Sequence, residues 1–356
     1  QPARLIRRAM AAHLDPGAPL IAETGGINAM IVDSTALPEQ AVRDILSSAF
    51  QSAGQRCSAL RVLFVQKDVA APMLEMLEGA ARELAIGDPW RPATDVGPVI
   101  DEGARRTILD HCDRLERRGR LIFRLGLGEE CGNGTFVPPA AFRLDAMAEL
   151  DREIFGPVLH VVEFDAAAID RVVDDINAAG YGLTLGVHSR IDTRVDRICE
   201  RARIGNIYVN RNQIGAVVGV QPFGGEGLSG TGPKAGGPHY LLQLSRPAPG
   251  SPPAGLPDAG PRVLPGPTGE KDSWFLRPRG LIACLGPSPQ ARARQAALAR
   301  AAGNAALEVA PDDPAFAAAL ARDELAAVLH EGEAPLHLRV MLAEKPGRRV
   351  PVLSGE

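Results

Sequence analysis

The chain has 356 residues, of which 45% are hydrophobic and 23% are charged, and its formal net charge is −4. This length predicts two or three domains, and no apolar run approaches the roughly 18 to 20 residues that cross a bilayer. The mild acidity, and the lack of basic clusters interleaved with aromatic residues, argue against nucleic acid or an anionic membrane surface as a partner.

The five cysteines, at positions 57, 112, 131, 199 and 284, are odd in number and widely spaced, with no CxxC motif. This spacing disfavours a disulfide framework or a zinc site and favours reduced thiols in a cytoplasmic protein. The chain opens on Gln1, apparently inside a helix and without a recognisable signal peptide. We therefore expect the N-terminally truncated piece of a longer polypeptide.

From Leu20 to about Ser245, short apolar runs alternate with helical periodicity. The alternation predicts an α/β domain with helices on both faces of a mostly parallel sheet. The predicted strands are 20–22, 29–32, 62–65, 121–125, 158–164, 184–187 and 206–209. The predicted helices are 39–53, 70–84, 102–117, 166–179 and 190–202, each with apolar residues three and four positions apart.

Residues 246–269 contain eight prolines and no periodicity, which predicts an extended connector and a domain boundary. Beyond it, strands at 281–285, 305–309 and 325–329, with helices between them, predict a small Rossmann-like βαβαβ unit. The first turn of this unit, GPSPQA, lacks the GxGxxG spacing that lets backbone amides approach a pyrophosphate. We expect no cofactor there.

Cys57, in the stretch GQRCSALR, is the first candidate for chemistry. A cysteine is more often buried and inert, and we interpret the other four in that way. Cys57 instead lies in a polar segment that predicts a helix-to-strand loop, where Arg56 and Arg61 could favour the thiolate. The general-base candidate is Glu23 in AETGG, predicted at a strand end in a partly desolvated pocket; the alternative is a surface glutamate before a turn.

Two further stretches contain candidate binding residues. In DREIFGPVL, alternation points Glu153 and Phe155 the same way, so that the acid can accept ribose hydroxyls and the ring can pack on a flat cofactor; the alternative is an exposed strand edge. Residues 210–237 contain the glycine-dense sequences GAVVG and PFGGEGLSGTG, where backbone amides could bind an anion. Glycine content alone is weak evidence.

Taken in order, AETGG, GQRC, EIFGPV and PFGGEGLSGTG resemble the motif set of the NAD(P)-dependent aldehyde dehydrogenase superfamily. Within it, residues 1 to about 246 resemble the L-glutamate-γ-semialdehyde (1-pyrroline-5-carboxylate) dehydrogenase module of the bacterial proline utilization A family. The remaining residues resemble the additional C-terminal domain of that family's longer members. The resemblance implies oxidation of the semialdehyde to glutamate with NAD, in a homodimer or higher homo-oligomer; it leaves the choice between NAD and NADP open.

The resemblance also implies a role for each motif residue. Cys57 would form a thiohemiacetal and then a thioester, with its N–H as half of an oxyanion hole, and Glu23 would activate the hydrolytic water. The implied cofactor-binding residues are Gly25, Glu153 and Phe155, and the implied substrate-binding residues are Ser58, Gly215, Ala216 and Phe223.

The resemblance divides the chain into five segments. They are a remnant of the NAD-binding domain (1–33), the catalytic domain (34–230), an oligomerisation strand region near His239–Leu244 (231–246), a Pro-rich linker (247–273) and the Rossmann-like C-terminal domain (274–356). The rest of the NAD-binding half, and the FAD-dependent proline dehydrogenase module, would lie upstream of Gln1.

Three functions remain open at this point. The first is the catalytic and C-terminal portion of an NAD-dependent semialdehyde dehydrogenase, inactive by itself. The second is a non-catalytic module that makes oligomer contacts and covers an active site. The third is a cofactor-free thiol hydrolase that uses Cys57 and Glu23.

Overall fold

The computed structural model describes residues 2–15, 18–245, 260–322 and 324–355. The chain divides into two units. The first unit comprises residues 23–216 and 224–230, and the second comprises the described residues of 1–22, 217–223 and 231–356.

The helices and strands of the described residues are as follows. The α-helices are α1 (Pro2–His13), α2 (Pro38–Phe50), α3 (Lys67–Arg82), α4 (Glu102–Arg117), α5 (Ile169–Ala178), α6 (Asp192–Arg201), α7 (Pro289–Ala301), α8 (Pro314–Ala321) and α9 (Leu336–Glu344). The strands are β1 (Ala29–Val32), β2 (Val62–Gln66), β3 (Leu121–Arg124), β4 (Ala140–Leu144), β5 (Val158–Phe164), β6 (Tyr181–Gly182), β7 (Thr184–His188), β8 (Asn206–Val209), β9 (Glu226–Gly227), β10 (Arg262–Leu264), β11 (Asp272–Trp274), β12 (Leu281–Cys284), β13 (Ala305–Glu308), β14 (Leu325–Glu331) and β15 (Val352–Gly355).

A seven-stranded sheet in the order β3-β4-β5-β2-β1-β7-β8 forms the core of the first unit. All its pairs are parallel except β3 with β4. Strands β1 and β2 are buried along their whole length, which explains their unbroken apolar sequences, since a central parallel strand is covered on both faces. The predicted α/β fold class is therefore confirmed.

The order of strands brings the candidate site together. Strands β1, β2 and β5 are neighbours and run parallel, and the segments containing Glu23, Cys57 and Glu153 each precede one of them. Because the amino ends of parallel strands meet at the same edge of a sheet, these segments lie side by side. The first residue of β7, Thr184, starts the next strand along this edge.

The helix predictions agree well with the structure. Helix α4 begins where predicted because the side chain of Asp101 accepts a hydrogen bond from the N–H of Ala104 at 2.7 Å, which satisfies one free donor of the first turn. Helix α2 ends at Phe50, three residues before the prediction, and a 3-10 turn follows over Gln51–Gly54.

In the first 150 residues one strand prediction is wrong, and one strand was not predicted. Residues 20–22 form no strand, and Glu23 instead makes an isolated antiparallel bridge to Gly230. The sequence analysis missed β4, which pairs with β5 in parallel and with β3 in antiparallel orientation. The residue pair Pro138–Pro139 precedes it, and alanine has a low strand propensity, so the segment does not resemble a central strand.

The second unit contains a parallel sheet in the order β13-β12-β14-β15, with α7, α8 and α9 connecting successive strands. The predicted βαβαβ pattern is present, extended by α9 and β15. Helix α1 packs against α9, where the Arg7 guanidinium donates to the carbonyls of Ala343 and Lys345 at 2.8 and 3.0 Å. No helix within the described ranges is both long and apolar enough to span a membrane.

Two predictions about the connecting region need correction. The predicted linker 247–273 includes an antiparallel hairpin of β10 and β11, while residues 246–259 lie outside the described residues. The strand expected near His239–Leu244 is absent, because Leu241–Leu244 forms a 3-10 turn. Its role in oligomerisation stays a prediction.

Candidate active site

A left-handed turn leads the chain from α2 into the Cys57 loop. Ser52, Ala53 and Gly54 have positive φ angles of 57°, 52° and 65°. Left-handed backbone costs a non-glycine residue about 1 to 2 kcal/mol, so the surrounding packing imposes this turn. At Gly54 a Cβ atom would lie 2.2 Å from the carbonyl oxygen of Gly156. Only glycine therefore lets the EIFGPV segment approach the Cys57 loop this closely.

The backbone carbonyls of the Cys57 loop are bound by buried side chains. Asn28 Nδ2 donates to the carbonyls of Cys57 at 2.7 Å and Ala59 at 2.9 Å. The Ser58 carbonyl accepts from Gln213 Nε2 at 3.1 Å and Thr184 Oγ1 at 3.2 Å. With these oxygens turned inward, the loop has one fixed conformation, and the Cys57 side chain points outward.

The Cys57 thiol is exposed, whereas Cys112, Cys131 and Cys284 are buried and Cys199 is half-buried. Although solvent reaches the residue, the protein atoms around the sulfur still raise the pKa of the thiol, chiefly by desolvation of the thiolate. The carboxylates of Glu153 and Glu23 raise the pKa further, so both act electrostatically on the same sulfur. The thiol is therefore protonated at neutral pH and needs a base.

Arg61 is the most deeply buried charge near the thiol, with 1% exposure. Its Nη2 and Nε donate to Glu153 Oε1 at 3.1 and 3.3 Å, and its guanidinium lies 5.2 Å from the centre of the Phe155 ring. Burial lowers the pKa of Arg61 and raises that of Glu153, and each partner opposes the shift of the other. Arg61 thus contacts both Glu153 and Phe155, although the sequence analysis expected it to favour the Cys57 thiolate.

Of the two arginines expected to favour the thiolate, Arg61 does attract it electrostatically, since Cys57 raises the pKa of Arg61, but this attraction does not decide the pKa of the thiol. The charge of Arg61 is paired with Glu153, and Arg56 Nε donates to the hydroxyl of Ser52 at 3.1 Å. The net shift of the thiol pKa is upward, with burial as its largest cause.

Gly25 and Gly26 allow Glu153 to lie against the backbone before β1. A Cβ atom on Gly25 would come within 1.8 Å of Glu153 Oε2, and the N–H of Gly26 donates to the same oxygen at 3.2 Å. Gly25, predicted to bind cofactor, therefore has a steric role in this structure: it leaves room for the carboxylate.

Glu23 is exposed, and its carboxylate contacts the glycine-rich loop 224–230. The N–H of Gly225 donates to Glu23 Oε2 at 2.9 Å, and a Cβ atom on Gly230 would lie 2.8 Å from Glu23 Oε1. The predicted desolvated pocket at a strand end is not found. A backbone amide of this loop donates to the Glu23 side chain, and binding of an anionic ligand by the glycine-dense loops stays a prediction.

The predicted substrate residues are less uniform. Ser58 is buried, and Gly215 is exposed with a left-handed φ of 73°, two residues after Gln213, which binds the Ser58 carbonyl. Ala216 is the last residue of the segment 23–216 of the first unit. Phe223 belongs to the second unit, where it pairs with Ala235 through an isolated bridge.

The sequence analysis missed Asn28, Thr184 and Gln213 as site residues. All three are at most 3% exposed, and their side chains hydrogen-bond within or onto the Cys57 loop. A usable signal existed only for Asn28, a polar residue that immediately precedes the apolar strand AMIV. A polar group at a buried position requires a partner, and here the partner is the neighbouring loop.

We predict that Arg61→Met destabilises the first unit by about 3 to 5 kcal/mol, the usual cost of leaving one member of a buried ion pair without its partner. The carboxylate of Glu153 would remain at the site without its guanidinium, and its pKa would rise further. The deficit should therefore shrink as the pH falls and Glu153 takes up a proton. Urea unfolding as a function of pH measures both effects.

Two variants control this experiment. Lys67→Met removes the exposed pair with Asp165 and should change stability little, since exposed pairs contribute little. Adding Glu153→Gln to Arg61→Met should recover part of the lost stability. An Arg61→Met protein as stable as the parent at neutral pH would show that the pair does not support the site.

The fold and the motif residues around Cys57 are those of one known protein family. The sequence profile of the aldehyde dehydrogenase family matches residues 3–247, and the chain belongs to this family. Among its relatives, the bifunctional protein PutA of Salmonella typhimurium is 46% identical, in a match covering 92% of this chain and 29% of that protein.

Solved structures show the same likeness. A crystal structure of a proline utilization A (PutA) variant from Bradyrhizobium japonicum is 60% identical, with a TM-score of 0.65, and the match covers 68% of this chain and 24% of that one. A 1-pyrroline-5-carboxylate dehydrogenase from Thermus with bound NAD is 34% identical, with a TM-score of 0.60, over 68% of this chain and 47% of that one. The chain thus spans less than half of each relative.

Proposed function

We propose that this chain carries the nucleophile and the hydrolytic base of an NAD-dependent L-glutamate-γ-semialdehyde dehydrogenase. The observation that carries the proposal is the exposed Cys57 thiol with two carboxylates, Glu23 and Glu153, acting on its sulfur. One carboxylate is available for proton transfer and the other for the cofactor. A cofactor-free hydrolase would need only the first.

In the proposed reaction, Cys57 gives its proton to the Glu23 carboxylate, which releases it to solvent, and the Cys57 sulfur adds to the aldehyde carbon. The oxyanion that forms would accept from the N–H of Cys57, and one such donor is worth about 2.7 to 4 kcal/mol in other enzymes. Oxidation leaves a thioester on Cys57. Glu23 then takes a proton from the attacking water, the C–S bond breaks, and the acid and the free thiol are released.

The residues around Glu153 fit the nicotinamide end of NAD. Glu153 Oε1 accepts from both Nε and Nη2 of Arg61, whereas Oε2 accepts from the N–H of Gly26 and has a second lone pair for a ribose hydroxyl. The Phe155 ring is 42% exposed, which leaves a surface for packing. NAD, when bound, supplies the hydride acceptor for the oxidation.

For the substrate, we propose that the backbone amides of Gly215 and Ala216 hold the α-carboxylate, beside Ser58. The left-handed conformation at Gly215 supports this, because successive amides around such a residue can point at one anion. The assembly is proposed to be a homo-oligomer, and a role of Phe223 in substrate binding stays a prediction.

The natural gene product that contains this sequence, called the longest polypeptide below, should reduce NAD when it is given L-glutamate γ-semialdehyde. The assay is NADH formation, with an aldehyde that lacks the α-carboxylate as the comparison substrate. Ester hydrolysis without NAD, and no aldehyde oxidation, would favour the thiol hydrolase instead. No turnover of either kind would favour a non-catalytic module.

A further inference from the structure

Asn28 makes more hydrogen bonds to the Cys57 loop than its position before β1 suggests. Its backbone carbonyl accepts from the N–H groups of Arg61 and Val62, at 2.9 and 3.1 Å. Its side-chain amide donates to the carbonyls of Cys57 and Ala59, at 2.7 and 2.9 Å. One residue therefore makes four hydrogen bonds to four residues within the six-residue segment 57–62.

The Asn28 side chain is itself fixed. It is 3% exposed, and its Oδ1 accepts from the N–H of Thr184 at 3.2 Å. This contact settles which end of the amide faces which neighbour, since the oxygen must face a donor and the nitrogen must face the two carbonyls. The side chain thus bridges β7 and the Cys57 loop in a single orientation.

The hydrogen bond from Asn28 to the Cys57 carbonyl also determines where the N–H of Ser58 points. In a trans peptide the carbonyl and the following N–H point in opposite directions. With the Cys57 oxygen turned toward buried Asn28, the N–H of Ser58 faces the opposite, outer side of the loop, where the Cys57 side chain is exposed. In that position the Ser58 N–H acts to lower the pKa of the Cys57 thiol.

We propose that Asn28 is a positioning residue for the nucleophile: by holding the Cys57 and Ala59 carbonyls it keeps the Ser58 N–H directed at the Cys57 sulfur. Its importance for the reaction rests on the role proposed above for Cys57. Without Asn28, the 57–58 peptide is free to rotate, and the sulfur loses a donor that stabilises its anion. Burial and the two carboxylates would then raise the pKa of the thiol without this opposing contact.

Gln213 provides a matched comparison. It is also a buried side-chain amide, and it donates to the carbonyl of Ser58, one residue further on. The 58–59 peptide that it holds carries the N–H of Ala59, which donates to the carbonyl of Arg56 at 3.0 Å and not to the sulfur. Loss of Gln213 should loosen the loop without removing the donor to Cys57.

The test measures the rate at which iodoacetamide modifies Cys57 in this 356-residue chain over a series of pH values, by peptide mass spectrometry. Asn28→Leu removes the amide with little change of volume, and we expect modification at least about tenfold slower at neutral pH, with the midpoint of the profile moved upward. Gln213→Met should leave the midpoint in place. Cys199 serves as the internal reference thiol.

Asn28→Ser provides a second variant in case the leucine is not tolerated, and it should shift the profile in the same direction, because serine is too short to reach both carbonyls. Thermal unfolding of each variant shows whether it is folded. An unchanged midpoint in a folded Asn28 variant, or an equal shift in Gln213→Met, would overturn the proposal. Since the readout needs neither NAD nor an aldehyde, it is independent of whether the proposed dehydrogenase activity is found.

Discussion

Cys57→Ala in the longest polypeptide is expected to lower kcat/KM for NADH formation by at least about 10⁴-fold, the scale seen when an enzyme loses its nucleophile. Alanine cannot form the covalent adduct that precedes oxidation, and the neighbouring residues cannot replace it. Glu153 and Phe155 are held by Arg61, which the substitution leaves in place, so NAD binding should change little. Steady-state kinetics and an NAD titration measure the two quantities separately.

Cys199→Ala is the control, since Cys199 is the most accessible of the other thiols and should be dispensable.

Thiol labelling of the unmodified chain gives an independent check. Cys57 should react first, ahead of Cys199 and far ahead of Cys112, whose pKa burial raises to about 12. Because the Cys57 pKa is also raised, its labelling should accelerate as the pH rises through neutrality. Equal labelling of all five thiols would contradict a nucleophilic role.

The regular elements were predictable wherever local sequence and tertiary position agree. Helix α4 combines an N-cap aspartate with a regular apolar stripe, and both of its ends were predicted correctly. Strand β4 was missed because its alanines and preceding prolines give no local signal, and its neighbours β3 and β5 supply the pairing. Residues 20–22 show the reverse case, since an apolar run without a partner strand forms no strand.

The residue types at the site were easier to predict than the contacts between them. Cys57, Glu23 and Glu153 stand out in sequence because each is a reactive or charged residue that lies close to an apolar run and to a glycine. Their convergence follows from strand order, because they precede β1, β2 and β5, which are adjacent only in the folded sheet. No spacing in the sequence gives that order.

The supporting contacts could not be predicted, for a further physical reason. Asn28 and Gln213 bind backbone carbonyls, and a carbonyl is present at every position, so the identity of the acceptor residue carries no information. The ion pair of Arg61 with Glu153 joins residues 92 positions apart. Such a pair can be identified only when the positions of both segments in the folded sheet are known.

Glu23→Gln should separate the two halves of the proposed reaction. Glutamine keeps an oxygen that can accept from the N–H of Gly225, so the local structure should persist, but it cannot take a proton from water. Rapid-mixing experiments on the longest polypeptide should show one fast turnover of NADH per site. A steady-state rate about 10² to 10⁴-fold below the parent should follow, because the thioester accumulates.

Glu226→Gln is the matched control, since Glu226 is an exposed glutamate in the same loop, and its backbone pairs with that of Gly182. It should leave both phases unchanged. Glu23→Gln also removes a carboxylate that raises the pKa of Cys57, so the variant's thiol should label faster at a fixed pH, the opposite of the effect expected for Asn28→Leu. A uniform loss of activity without a burst, together with unchanged labelling, would assign the hydrolytic base to another residue, because both readouts depend on the Glu23 carboxylate acting at this sulfur.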